Sequence, residues 1–411
     1  MLWPARRQAS EVAIVYFRSA QLWDQWHLPP GSPRLCLAGC VTSMVSMYID
    51  YSVEVYGLYL ALATDANIPV DFIDEDALEE PETLAKYKVI YVTQPNLPEA
   101  GARGLATWVK DGGGTLVTTS GAGVADAYDE PSTTLSSLRG GEEAPRPRIA
   151  LGSDTDINVD QPTPLPSQNG TAAILASSPP RPFTAVGVVG KAVPTGGGCG
   201  GGGGGGGSSG RDGGGGGAPW CGTDLLATFA DGSPAITRNR GTPAVGKGAA
   251  VHFLWLPGLS YWFSNPAASR CPPGHTCRNA GRLVGDVNIQ TIVADVARAA
   301  GVVAPVTTSE RSVETPLMLT PDGTGAVVTL LNFKAGACTW PANPQTPVCT
   351  IPSVPSLALN VTVPFRPANV TSAEHGPLRF TTDASGGVFT VRVRVPLGAA
   401  DFVLLERDAR S

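Results

Sequence analysis

Between Thr42 and Gly123 the sequence alternates between helical and strand periodicity, and few architectures accommodate that alternation. From Thr42 to Ala63, Met44, Met47, Tyr48, Tyr51, Val55, Leu58, Tyr59 and Leu62 recur three or four residues apart, which predicts a helix with one apolar face. Pro69 to Ile73 is a short apolar run after a turn-forming Asn67, the pattern of a buried strand. Asp74, Glu75 and Asp76 follow where carboxylates would cap the next helix. Val89 to Thr93 predicts a second strand, closed by Gln94-Pro95. Ala102, Leu105, Ala106 and Val109 give the following helix its inner face, and Gly112 to Gly114 end it. Leu116 to Thr119 predicts a third strand, closed by Ser120 to Gly123. Short strands separated by helices pair in parallel through right-handed crossovers, so the expected fold is α/β with a doubly wound, mostly parallel sheet.

The flanks extend this unit. Glu11 to Phe17 predicts a first strand, and a loop with Trp23 and Trp26 follows it. From residue 132 to 221 the pattern decays into an insertion whose tract at 196–217 is almost all glycine and is expected to be disordered. The tract lacks the Lys-Ser/Thr ending of a phosphate loop. Order resumes with a hairpin-like pair around Asp231-Gly232, a buried strand at AAVHFLWLPG, and a helix from Arg282 to Ala300. After Val313 the period becomes two: Val391, Val393 and Val395 alternate with Arg392 and Arg394, predicting an antiparallel β-sandwich. The expected domains are 1–131 with 222–303, the insertion 132–221, and a β domain at 304–411.

The formal charge of -6, with 29 Lys and Arg and no basic run, argues against a nucleic-acid partner. The longest apolar stretch, Val41 to Ala63, carries Asp50 and Glu54, so no membrane span is expected. Arg6, Arg7 and Glu11 interrupt any signal-peptide core at the N-terminus. The eight cysteines, by contrast, sit in near neighbours: Cys36 with Cys40, Cys199 with Cys221, Cys271 with Cys277, Cys338 with Cys349. Such spacing suits disulfides in an oxidising compartment. Asn169, Asn360 and Asn369 each open an Asn-x-Thr triplet, a glycosylation acceptor pattern. An extracellular or secretory location is therefore expected, with Met1 not the natural start.

Chemistry-bearing patterns are sparse. Ser120 follows a strand at a Gly-rich turn, where a nucleophile elbow would lie, but Thr118 and Ala122 replace the glycines of G-x-S-x-G. His252 falls inside an apolar strand and reads as a core histidine. Cys271, His275 and Cys277 lack a second ligand cluster, so no metal is expected. Asp126, Asp129 and Glu130, just past a strand's carboxyl end, are the best-placed carboxylates for acid–base work on a glycoside. No cofactor is expected.

The blocks EVAIVYFRSAQLWD, YGLYLALATDANIPVDFID, YKVIYVTQP, WVKDGGGTLVTTSGAG and GKGAAVHFLWLPGLSY, taken in order, resemble the trimerisation domain of family-42-type β-galactosidases. That domain has the class I glutamine-amidotransferase-like fold and precedes a C-terminal β domain. Amidotransferases carry a Cys at the elbow; Thr119-Ser120 stands there here, which implies a fold kept without that chemistry. The family's catalytic barrel needs some 250 residues upstream, and only about ten precede Glu11, so its catalytic carboxylates have no counterpart in this sequence. The resemblance implies a non-catalytic oligomerisation and substrate-rim module, trimeric, working through surfaces near Trp23, Trp26, Ser120 to Gly123, Tyr261 and Trp262. Two other readings stay open: a stand-alone hydrolase using Ser120 or the Asp126–Glu130 acids, and a secreted carbohydrate-binding protein using the loop tryptophans.

Overall fold

The computed structural model describes residues 5–20, 49–140, 142–143, 167–173, 179–186, 192–193, 223–264, 285–334, 338–339 and 348–407. The first half carries strands β1 (Arg6–Arg7), β2 (Val12–Tyr16), β3 (Asp71–Asp74), β4 (Val89–Val92), β5 (Thr115–Thr118), β6 (Ser167–Ala172), β7 (Arg181–Val186), β8 (Thr223–Phe229), β9 (Pro234–Arg240) and β10 (Ala249–Phe253). Its helices are α1 (Ile49–Tyr59), α2 (Pro81–Leu84), α3 (Glu99–Lys110), α4 (Ser136–Arg139), α5 (Pro257–Phe263) and α6 (Val287–Ala299). The fold is mixed α/β.

Nine strands form one sheet in the order β3-β2-β4-β5-β10-β9-β8-β6-β7. The pairings from β3 through β10 are parallel. Those from β10 through β7 are antiparallel. The sheet is thus parallel over only one half, against the expectation of a mostly parallel sheet. The difference arises in the insertion: β6 and β7 lie within 132–221 yet extend the sheet by hydrogen bonding to β8 and to each other. Phe183 of β7 stacks on Trp255 with ring centroids 4.6 Å apart, joining the insertion to the core.

Both faces of the parallel half are covered, which is why β2 and β4 read as continuous apolar runs. Val12, Ile14, Tyr91, Val117 and Phe253 pack with Leu58, Ile289 and Val293 of α1 and α6. Ala13, Val15, Ile90, Val92 and Leu116 face Leu105, Trp108 and Val109 of α3. Each buried valine, leucine, isoleucine or phenylalanine among them contributes about 1.5–3 kcal/mol of transfer free energy. Helix α6 starts at Val287, because the Asp286 carboxylate accepts from Asn288 N at 2.6 Å and Ile289 N at 3.2 Å, fixing the first turn; the expected start at Arg282 lies outside the described residues. Gly301, with φ 79°, ends it. Helices α1 and α5 meet at glycines: a Cβ on Gly57 would lie 1.9 Å from the Gly258 carbonyl oxygen.

The C-terminal part carries β11 (Val306–Thr308), β12 (Val313–Glu314), β13 (Leu317–Leu319), β14 (Gly325–Asn332), β15 (Val354–Val363), β16 (Pro367–Ser372), β17 (Gly376–Pro377), β18 (Phe380–Ser385), β19 (Val388–Leu397) and β20 (Ala400–Arg407). They form two antiparallel sheets, β1-β13-β14-β20-β16-β17 with β12 also on β14, and β11-β15-β19-β18. Val328, Leu330, Val403 and Leu405 of the first share a core with Leu359, Val361, Val391 and Val393 of the second. The alternation read from β19 holds, with Val391, Val393 and Val395 buried between exposed arginines. Sequence reading missed β1, where Arg6 and Arg7 pair with Leu319 and Met318 across the chain.

The two parts are joined through the end of α1. The predicted helix to Ala63 does not stay α: Leu60–Asp65 is a π-helix, a wider turn that appears mostly at special sites. Its last residue is Asp65, whose side chain is fully buried and accepts from Arg311 Nη2 at 3.1 Å, from Ser312 N at 2.9 Å and from the Tyr261 hydroxyl. Two residues on, Asn67 donates to Val313 O at 2.8 Å and accepts from Thr308 N at 3.2 Å. Tyr59 donates to Glu314 at 2.7 Å. Beside this junction Arg7, Gln8, Asn67, Glu314 and Leu317 line a cavity of about 20 Å³, the size of one water.

Candidate functional site

In an open α/β sheet the carboxyl ends of the parallel strands are where ligands bind. Here those ends are Phe17, Asp74, Thr93-Gln94, Thr119-Ser120 and Leu254-Trp255, and polar side chains are concentrated there. Gln94, Thr119, Ser120, Glu75 and Glu54 are all buried. Most of their polar atoms serve backbone groups left free by the strand ends and helix starts. Gln94 Oε1 accepts from Phe17 N at 2.5 Å, and Gln94 O from Gly123 N at 2.9 Å. Glu75 accepts from Ser19 N at 3.1 Å and Ser19 Oγ at 3.0 Å. Glu54 of α1 accepts from Leu259 N at 2.7 Å, in the first turn of α5. The neighbouring Asp74 accepts from Ala77 N at 3.0 Å, the capping role expected of it.

Ser120 sits within this arrangement and is 0% exposed; its amide donates to Trp255 O at 3.3 Å. Gly121 and Gly123 follow with φ of 76° and 60°, which makes the turn tight and lets Leu135 pack against Gly123. The Thr118 hydroxyl lies 2.9 Å from His252 Nδ1. Both members of that pair are buried, in keeping with a core histidine.

The three loop carboxylates are spent differently. Asp126 Oδ1 accepts from Tyr128 N at 2.8 Å and Glu130 N at 3.0 Å, and Asn96 Nδ2 donates to Asp126 O at 3.2 Å and Asp129 Oδ1 at 3.1 Å. Asp129 takes a left-handed φ of 64° to close the loop. Glu130 is exposed, and between them Tyr128 projects 78% exposed. Asp126 and Asp129 therefore shape a turn that displays Tyr128, a residue the sequence pattern did not single out.

Tyr261, expected on a binding surface, is 2% exposed and hydrogen-bonded to Asp65, so it belongs to the junction; Trp262 beside it is half-buried. Trp23, Trp26, Cys36, Cys40, Cys199, Cys221, Cys271, His275, Cys277 and the tract 196–217 lie outside the described residues. Cys338 and Cys349 are Cα partners in a two-stranded ribbon, Cys338–Thr339 with Val348–Cys349. Asn169, Asn360 and Asn369 are exposed on strands. Among the described residues no group of three or more His, Cys, Asp or Glu is placed to hold a metal ion, and no helix is long and apolar enough to cross a membrane.

Exposed aromatics gather elsewhere, at β3, the edge strand of the nine-stranded sheet among the described residues. Phe72 of β3 is 50% exposed and its ring lies 5.4 Å from that of Tyr59. Tyr56, one turn earlier on α1, is 61% exposed, and Tyr16, on the same sheet face as Phe72, is 37% exposed.

No family model and no curated protein matches the chain. Among solved structures it is similar to the β-galactosidase of Bacillus circulans sp. alkalophilus, at 18% identity and a TM-score of 0.52, over 99% of this chain and 42% of that one. It is similar also to the cold-adapted β-galactosidase of Rahnella sp. R3, at 16% identity and a TM-score of 0.51, over 98% and 41%. A GH42 β-galactosidase of G. stearothermophilus matches at 14% identity and a TM-score of 0.50, over 98% and 41%. The chain thus spans about two-fifths of the length of these enzymes, and what it shares with them is the fold of that part.

Proposed function

We propose that the chain is a non-catalytic assembly and substrate-rim module of a β-galactosidase-like glycoside hydrolase. Its α/β part is read as a doubly wound, amidotransferase-like domain matching the trimerisation domain of that family, and its C-terminal part as the accompanying β-sandwich. The observation that carries the reading is coverage: nearly the whole chain, 98–99% of it, is matched by 41–42% of these β-galactosidases. The strand-end geometry supports the non-catalytic half. Ser120 is fully buried, and Asp126 is engaged by two backbone amides. The aromatic edge formed by Tyr16, Tyr56 and Phe72 is the surface suited to a second copy of the chain, since β3 has no outer strand partner among the described residues and an edge rimmed by aromatics is costly to leave in water. The strand-end loop carrying Tyr128 is the part suited to the rim of a sugar site.

The test is an assay of the purified chain against aryl β-galactosides, β-glucosides and α-fucosides. The reading predicts no turnover above buffer. Turnover that disappears in Ser120→Ala or Asp126→Asn would replace it with the stand-alone hydrolase.

A further inference from the structure

Three Asn-x-Thr triplets remain unused by this reading, and the fold treats them alike. Asn169, Asn360 and Asn369 lie on β6, β15 and β16, and all three are exposed. In each triplet the middle residue turns inward: Gly170 and Val361 are buried, and Val370 is 2% exposed. Side chains alternate along a strand, so burying the middle residue holds the asparagine and the threonine on the wet face. The first two amides are engaged, Asn169 Oδ1 by Thr184 Oγ1 at 2.7 Å and Asn360 Nδ2 with Thr307 Oγ1 at 3.1 Å. Asn369 makes no side-chain hydrogen bond among the described residues, and its strand is the least covered. β16 pairs with β20 along its length, but β17 covers its other side only at Thr371 and Ser372.

We propose that Asn369 is the acceptor of an N-linked oligosaccharide. In the transfer, Asn369 Nδ2 bonds to the anomeric carbon of a polyprenyl-pyrophosphate-linked oligosaccharide. The anomeric C–O bond to pyrophosphate breaks, the amide nitrogen loses one proton, and the lipid pyrophosphate leaves. The product places a bulky hydrated group beside a sheet edge that would otherwise accept a foreign strand.

The experiment is production of the full chain behind an added, cleavable signal peptide in a eukaryotic cell line, with peptide mass spectrometry on cells and medium together. Wild type is compared with Asn369→Gln, Thr371→Ala and Thr371→Ser. The expected result is an Asn369 peptide carrying an N-acetylhexosamine-based glycan that peptide N-glycosidase removes, leaving Asp. Asn369→Gln and Thr371→Ala lose that glycan, and Thr371→Ser keeps it. Thr371→Ser keeps the triplet and so separates loss of the acceptor pattern from a fault in folding. Chain with its signal peptide cleaved and Asn369 unmodified would overturn the proposal.

Discussion

Replacing Asp65 by asparagine changes almost no volume but reverses the chemistry at the junction. The native carboxylate accepts from Arg311, Ser312 N and Tyr261. An asparagine oxygen can retain the Ser312 bond, while its amide group then faces the Arg311 guanidinium and the Tyr261 hydroxyl, donor against donor. Removing one member of a buried ion pair costs about 3–5 kcal/mol. The Arg311 side chain is 29% exposed and keeps a bond to Gly285 O at 3.0 Å, so water offsets part of the loss. The expected cost is therefore at the low end, about 3 kcal/mol, or a fall of about 6–12 °C for a unit of 150–250 residues. Because the lost bond to Arg311 crosses between the α/β part and the C-terminal sheets, calorimetry of Asp65→Asn should also resolve one transition into two. A single transition within about 2 °C of wild type would refute the view that this carboxylate couples the two parts.

Other substitutions probe neighbouring claims. Gly57→Ala drives a methyl group into the Gly258 carbonyl, backbone against backbone, and is expected to lower stability by about 1–3 kcal/mol or more in urea unfolding; an unchanged midpoint would mean that α1 and α5 do not touch. Burial, and secondarily Asp71, pushes the Tyr87 hydroxyl up to about 12, and burial raises that of Tyr91 further. The folded state thus favours the protonated phenols. Their stabilising contribution is complete below the ordinary tyrosine value near 10 and is lost as pH rises toward 12 at Tyr87. Ultraviolet titration should show Tyr87 and Tyr91 ionising only above the ordinary tyrosine range, together with unfolding. Simultaneous ionisation of all tyrosines in the folded protein would contradict this. Tyr56→Ala with Phe72→Ala should weaken self-association at least tenfold, read by dilution in mass photometry, while leaving the far-ultraviolet spectrum unchanged; unaltered association would place the interface elsewhere.

The elements most legible in the sequence are those whose stability is local or periodic. The strands at Val12, Val89 and Thr115 and the alternation of β19 are printed in their apolar spacing because single faces decide them. Strands β6 and β7 were not legible, since Ser-Gln-Asn-Gly-Thr-Ala carries no apolar period and gains its strand state from pairing with β8. β1 is two arginines held by backbone bonds to residues over three hundred positions away. The junction escaped for the same reason: Asp65 and Arg311 are 246 residues apart, and nothing local marks either. Asn67 was half legible, because an asparagine after a helix suits its φ of 55°, but its partners at Thr308 and Val313 were not. At the strand ends the Ser120 turn could be read and its burial could not, because burial depends on Trp255 arriving from the far side of the insertion.

The most direct test of the account is sedimentation velocity on the purified chain from low to high micromolar concentration. An assembly module of this kind predicts a species heavier than the 42.4 kDa chain that grows with concentration, a trimer if the proposed role holds. A single species at the mass of one chain throughout would contradict it.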